Sequence, residues 1–243
     1  MKPPGCILWR GLSKNDGKPI VVIAQYESKN GKTGNTIQIW IIRSHQHPTE
    51  AIRTGGDFSI CGDCPMRYAV AEFGRMCYVD QRAIMSVWNA YKRGSYPLAT
   101  ADDWQLFRDR IVRIGTYGDP FAVPMKIWRR LARRCMGWVG YTHQWRKPCA
   151  QCYADLFMAS VDFTSDDAQL AQSMGWRTFT AIGPGQTPRP EHGIECLHAS
   201  DGIQCCDCRL CDGNNHPSAS NVWTHAHGSP PLMHSIQLTV NQN

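Results

Sequence analysis

The chain has 243 residues, 42% of them hydrophobic and 19% charged, with a formal net charge of +6. That composition excludes a disordered chain, and no window approaches the roughly 20 apolar residues needed to span a bilayer. The charge is a weak pointer to partners, because thiolates committed to metal clusters would lower it.

In chain order, the first residues offer Lys2, Pro3, Pro4, Gly5 and only a short apolar run from Cys6 to Trp9. This is too short for a signal-peptide core, so a cytoplasmic protein is expected, or one in the host cytoplasm if phage-encoded. A strand is predicted over Ile20 to Gln25, between polar turns. The run Thr36 to Arg43, with Ile37, Ile39, Ile41 and Ile42 around Trp40, predicts a strand buried on both faces, as parallel sheets require. Asp80 to Tyr91 carries Ile84, Val87, Trp88 and Tyr91 at helical spacing. Then helix 101–109, strand Ile111 to Gly115, helix 122–135, strand Gly137 to Thr142, strand Leu156 to Val161, helix 165–174 and strand Arg177 to Ile182 alternate. Such alternation predicts right-handed βα units and a parallel sheet. Residues 184–220 lack periodicity, and a last strand is expected at Asn221 to His225. The expected fold is therefore α/β: a partial (β/α) barrel-like parallel sheet over residues 1–183, then a cysteine-rich metal-binding extension over 184–243.

Twelve cysteines punctuate this frame. Cys61, Cys64 and Cys77, spaced C-x2-C-x12-C, fall after a core strand and before a helix. Three thiolates leave one metal position open to a substrate or cofactor, which implies chemistry; zinc completed by His45 or His47 is the structural alternative. Cys196, Cys205, Cys208 and Cys211, spaced C-x8-C-x2-C-x2-C, supply four ligands and a closed centre. Tight C-x2-C-x2-C spacing points to an iron–sulfur cluster more than to zinc, which favours paired knuckles; Cys206 is surplus. Cys149-x2-Cys152 with Cys135 forms a weaker third set, metal-ligating or incidental, which precedes a strand and lacks the thioredoxin-like context of a redox dithiol, and Cys6 carries no signal.

Chemistry in parallel barrels sits at the carboxyl ends of strands. There Gly115, Gly118 and Asp119, Thr142 and His143, and Asp162 would project. The glycines permit close approach of a ligand, and Asp119 could accept hydrogen bonds from an ammonium group or simply shape a turn. His225-x-His227 is a possible metal pair. Lys126, Arg129, Arg130, Arg133 and Arg134 share a helical face, expected to be solvated more than phosphate-binding. Trp138, Trp145 and Trp176 are expected in the core, or lining a pocket.

Taken together, Cys77-Tyr78, Val112-Arg113-Ile114-Gly115 running to Gly118-Asp119, Tyr141-Thr142-His143 and the final C-x2-C-x2-C resemble cysteine-rich phage proteins related to the radical S-adenosylmethionine enzymes. The resemblance covers residues 55–213. It implies that Cys61, Cys64 and Cys77 hold a [4Fe-4S] cluster whose open iron binds S-adenosylmethionine, cleaved on reduction to a 5'-deoxyadenosyl radical. Gly118-Asp119 would stand where the family's glycine-rich acidic loop receives the methionine amino group. The chain departs from the family's C-x3-C-x2-C triplet.

The expectation is thus an iron–sulfur enzyme with one or two [4Fe-4S] clusters, fed by an external electron donor and acting on a nucleotide or DNA substrate. The alternative is a zinc-stabilised nucleic-acid-binding protein without catalysis, and a third class is a non-catalytic iron–sulfur protein.

Overall fold

The computed structural model describes residues 3–28, 30–67, 69–70, 74–77, 79–162, 165–183, 186–215 and 220–226. Tyr78 of the Cys-Tyr pair and His227 of the histidine pair lie outside them.

The chain begins with three antiparallel-paired strands, β1 (Gly5–Leu12), β2 (Pro19–Gln25) and β3 (Ile37–Arg43). Helices α1 (Pro48–Thr54) and α2 (Phe58–Cys61), a small hairpin of β4 (Ala69–Val70) and β5 (Gly74–Arg75), α3 (Gln81–Lys92) and α4 (Ala101–Leu106) make the crossover to β6 (Ile111–Tyr117). Then come α5 (Met125–Ala132), β7 (Gly137–Thr142), β8 (Met158–Asp162), α6 (Ser165–Ser173), β9 (Thr178–Ile182), β10 (Ile194–Glu195), α7 (Leu197–Asp201), α8 (Cys205–Cys208) and β11 (Val222–His225).

Nine strands form one open sheet in the order β1-β2-β3-β6-β7-β8-β9-β11-β10. From β3 onward every pairing is parallel, so these strands share an amino edge and a carboxyl edge. The expected parallel sheet is present, with an antiparallel margin formed by β1 and β2. Residues beyond 183 contribute β10 and β11 to the same sheet.

β3 forms because its β-branched side chains suit a pleated surface, and each of its residues from Ile37 to Ile42 is buried. Full burial of one such isoleucine stabilises by roughly 1.5–3 kcal/mol. The main core gathers Ile84, Val87 and Trp88 of α3, Trp128 and Leu131 of α5, and Ala168 and Ala171 of α6. A second cluster occupies the other face: Val139, Met158 and Val222 pack with Cys196, Leu210 and Cys211. Period-2 alternation makes the division, since Trp138 and Ala159 beside them pack into the main core.

Among the described residues, no helix is long and apolar enough to cross a membrane.

Candidate functional site

The first cysteine group lies at the carboxyl edge of the sheet, and the second packs on one of its faces, reaching toward the amino edge. The first begins where β3 ends. Arg43 donates from Nη1 to the Ser59 hydroxyl at 2.6 Å, pinning α2 against the strand that precedes it. Cys61 closes α2, and the Cys61–Cys64 loop turns at Gly62, whose φ of 56° and ψ of −134° suit only glycine. A Cβ at Gly62 would stand 2.6 Å from the Gln144 side chain. That side chain clamps the loop: Gln144 Nε2 donates to the Cys61 carbonyl at 3.1 Å, and its Oε1 accepts from Asp63 N at 3.2 Å. Gln144 follows the carboxyl end of β7, so the loop is stitched across two strand ends.

The long spacing between Cys64 and Cys77 has a structural counterpart. Residues 65–76 include the β4–β5 hairpin, in which Ala69 pairs with Arg75 and Val70 with Gly74. Its two arms return to a shared anchor: the carboxylate of Asp57, 2% exposed, bonds Arg67 at 2.9 Å and Arg75 at 2.7 Å. Cys77 is thereby folded back toward Cys61 and Cys64. Burial first, then the neighbouring Cys64 and Cys77 thiols, push the Cys61 thiol well above the usual range. Cys77 is raised by burial, and nearby Arg75 and His143 oppose that rise.

The expected cofactor contacts gather at the same edge. Gly118, at φ 82°, lies so close to β3 that a Cβ would stand 2.8 Å from Ile41. Asp119 N donates to the Ile60 carbonyl at 2.6 Å. The close approach that Gly118 and Gly115 permit is thus to the chain itself; a Cβ on Gly115 would meet the Gly118 carbonyl at 2.9 Å. Asp119 is buried, with its carboxylate turned inward to accept from the Thr142 hydroxyl at 2.7 Å, Phe121 N at 2.9 Å and His143 N at 2.8 Å. Burial raises its proton affinity, and His143 and these donors oppose the rise. Asp119 joins the ends of β6 and β7. The Thr142 hydroxyl then accepts from Gln144 N at 3.0 Å, continuing the chain of bonds to the cysteine loop.

Beside this network opens a cleft of about 320 Å³, lined among others by Asp63, His143, Gln144, Arg146, Lys147 and Asp167. Lys147 pairs with Asp63 at 2.8 Å, and Arg146 pairs with Asp167 while lying 4.2 Å over the Trp145 ring. Of these residues the sequence reading singled out only His143 and Trp145. The rule that found Thr142 and His143, the carboxyl end of a parallel strand, extends naturally to Gln144, Arg146 and Lys147; Asp63 sits inside the first CxxC.

The second group lies toward the amino edge. Cys205 N donates to the carbonyl of Lys32, which precedes β3, at 3.0 Å. Gly140 N of β7 donates to the Cys211 carbonyl at 2.9 Å, and Cys196 N to Trp223 O of β11 at 2.7 Å. Arg177, just before β9, holds the loop down by donating to the carbonyls of Leu210 at 2.8 Å and Gly213. Cys196, Cys205, Cys208 and Cys211 all line one cavity of about 20 Å³ with Val139, Tyr141 and Val222. Between Cys208 and Cys211 stands Arg209, with a left-handed φ of 58° that costs a non-glycine residue on the order of 1 kcal/mol or more. Burial pushes the Cys211 thiol up to about 12, while Arg113 and Lys32 moderate the rise at Cys205.

Among the described residues, no group of three or more His, Cys, Asp or Glu side chains is arranged to hold a metal ion. The donor chemistry of both groups nonetheless suits a soft metal: thiols gathered on short loops with cationic neighbours. Metal binding would require deprotonation of these thiols.

Several of the remaining candidates have partners within the chain. Arg130 and Arg134 lie 5.0 and 5.3 Å over the Trp104 ring, and Arg129 pairs with Asp155 at 3.3 Å. The indole nitrogens of Trp138, Trp145 and Trp176 donate to Leu156 O, Ser160 O and Gln151 Oε1. Cys6 is fully buried in the main core.

The mixed α/β sheet and its edge-bound thiols define the molecule only to that level. Comparison with family models, curated proteins and solved structures gives no match.

Proposed function

We propose that the protein is a metal-dependent enzyme of radical-S-adenosylmethionine-like architecture, its sheet arranged as a partial barrel and its reaction carried out at the carboxyl edge. The observation that carries this reading is the juxtaposition there of Cys61, Cys64 and Cys77 with His143 and the cleft beside Asp63. Catalytic groups gather at that edge in parallel α/β proteins. Cys61, Cys64 and Cys77 would hold an iron–sulfur cluster with one open position, which supplies one-electron chemistry to a bound cofactor when reduced by an external donor. Gln144 and Asp119 position the loop, and the paired charges of the cleft would offer hydrogen-bonding partners to a polar ligand. A cleft of about 320 Å³ suits a small polar molecule or a single nucleotide unit. Duplex DNA would have to present one base at a time.

At the second group, Cys196, Cys205, Cys208 and Cys211 would form a closed auxiliary centre. Its cavity of about 20 Å³ favours a single ion, so zinc at this site is the second reading. The engagement of Arg129, Arg130 and Arg134 with Asp155 and Trp104 weakens the nucleic-acid-binding alternative.

Anaerobic purification followed by iron, sulfide and zinc analysis tests both assignments. Iron and sulfide near four or eight per chain, falling by about four in Cys61→Ala, support the enzyme. Colourless protein containing zinc alone overturns it.

A further inference from the structure

The third cysteine set is taken up by neither centre. Cys149 and Cys152 lie on a 3-10 helix, Pro148–Tyr153, and both are exposed free thiols. The helix has the three-residue period in its burial: Ala150 and Tyr153 face inward, fully buried, and Cys149 and Cys152 share another face. Its inward face is anchored at several points. The Tyr153 hydroxyl donates to Val123 O at 2.7 Å and accepts from Lys14 Nζ at 3.2 Å. Gln151 donates to Met174 O at 2.8 Å and accepts from Trp176 Nε1 at 3.1 Å.

A 3-10 turn superposes residues i and i+3 with a rise of about 2.0 Å per residue, placing their Cα atoms roughly 6 Å apart. That separation lies within the about 4.4–6.8 Å that disulfides bridge. A pinned helix therefore presents two exposed thiols side by side on one face, their Cα atoms within the range disulfides bridge, where solvent reagents reach them.

We propose that Cys149 and Cys152 form a surface dithiol–disulfide couple that exchanges with low-molecular-weight disulfides. One thiolate attacks a sulfur of the external disulfide, forming a mixed disulfide and releasing one thiol. The other cysteine then attacks the mixed disulfide, closing the Cys149–Cys152 bond and releasing the second thiol. The protein loses two electrons and two protons, which the cleaved external disulfide gains. This couple stands on its own geometry and does not depend on the metal assignments.

The test uses the full chain as purified, with its metal, incubated with oxidised glutathione and mapped by alkylation and peptide mass spectrometry. An internal Cys149–Cys152 bond is expected. In Cys152→Ser, Cys149 should keep one glutathione, released more than about tenfold more slowly than in the wild type because the intramolecular attack is gone. The substitution is at an exposed position, and circular dichroism checks that the variant folds. Glutathione retained on both wild-type cysteines without an internal bond, a bond from either one to a different cysteine, or two unreacted thiols would each overturn the proposal.

Discussion

The two larger cysteine groups are built from the same residue and held in opposite ways. The carboxyl-edge group is gripped by polar side chains, Asp57 through two arginines and Gln144 through two backbone groups, and it borders an open cleft. The amino-edge group is packed into an apolar cluster with Val139, Met158 and Val222, around a cavity barely larger than a water molecule. Conserving geometry with polar clamps while leaving one side open suits a site that must admit a ligand. Filling the space with aliphatic side chains suits one whose work is to hold the chain together. In (β/α) barrels the amino face serves stability and the carboxyl face chemistry, and the proposed function divides the cysteines along that line.

On the proposed metal assignments, exchanging one cysteine at a time gives the largest effects. Cys211→Ser should lower the melting temperature by about 6–12 °C, as expected for a loss near 3 kcal/mol in a chain of this size, and release the auxiliary metal. Cys61→Ser, which buries a hydroxyl in the main core, should lower melting by a smaller amount, a loss of about 1–2 kcal/mol, and should empty the proposed carboxyl-edge site and abolish turnover. Calorimetry with metal analysis on both variants decides it; equal destabilisation by the two would erase the division of labour.

Asp57→Asn is next. An asparagine cannot balance two guanidinium groups, and Arg67 and Arg75 would be left buried beside a neutral amide. Breaking such a pair costs about 3–5 kcal/mol. The hairpin that brings Cys77 back should loosen, so urea unfolding should shift to lower midpoint and metal content at the first centre should fall by half or more. Unchanged metal content would mean that Cys77 is not a ligand.

Gln144→Ala should act more locally. It leaves the Asp63 amide and Cys61 carbonyl without partners, a loss of about 1–3 kcal/mol. Faster release of the carboxyl-edge metal to a chelator is expected, with the amino-edge metal unaffected.

Much of the frame was legible because its cause is local. The β-branched runs of β2 and β3, and the apolar spacing of α3, α5 and α6, announce themselves within a few residues. β1 did not: its outer half, Leu8 to Leu12, is only partly buried, and a register shift between Ile7 and Trp9 breaks its alternation. Nor did the β4–β5 hairpin, whose paired strands of two residues each have no period to detect. Asp119 shows the limit within the site. Its place at the end of β6 was readable, but the direction of its carboxylate is set by Thr142 and His143, more than twenty positions away in the chain. The same distance hid Gln144, whose partners Cys61 and Asp63 precede it by about eighty residues.

The smallest effect separates thiols that serve only the core from those assigned to metal. Cys6 is buried against Tyr26, and burial pushes its thiol up to about 11 from an ordinary value of 9.0. The folded state thus favours the neutral thiol. Its contribution is fully present below about pH 9 and is lost as pH rises through about 11, a decline of about 2 kcal/mol. Cys6→Ala should be less stable at neutral pH, where the methylene-sized void counts, yet show a shallower decline between pH 9 and 11 than the parent chain. Measured in metal-free protein, the difference between the two pH profiles belongs to the core alone. If the parent and Cys6→Ala decline in parallel, the alkaline loss comes from other groups, with Cys135, pushed up to about 12 by burial, the next to substitute.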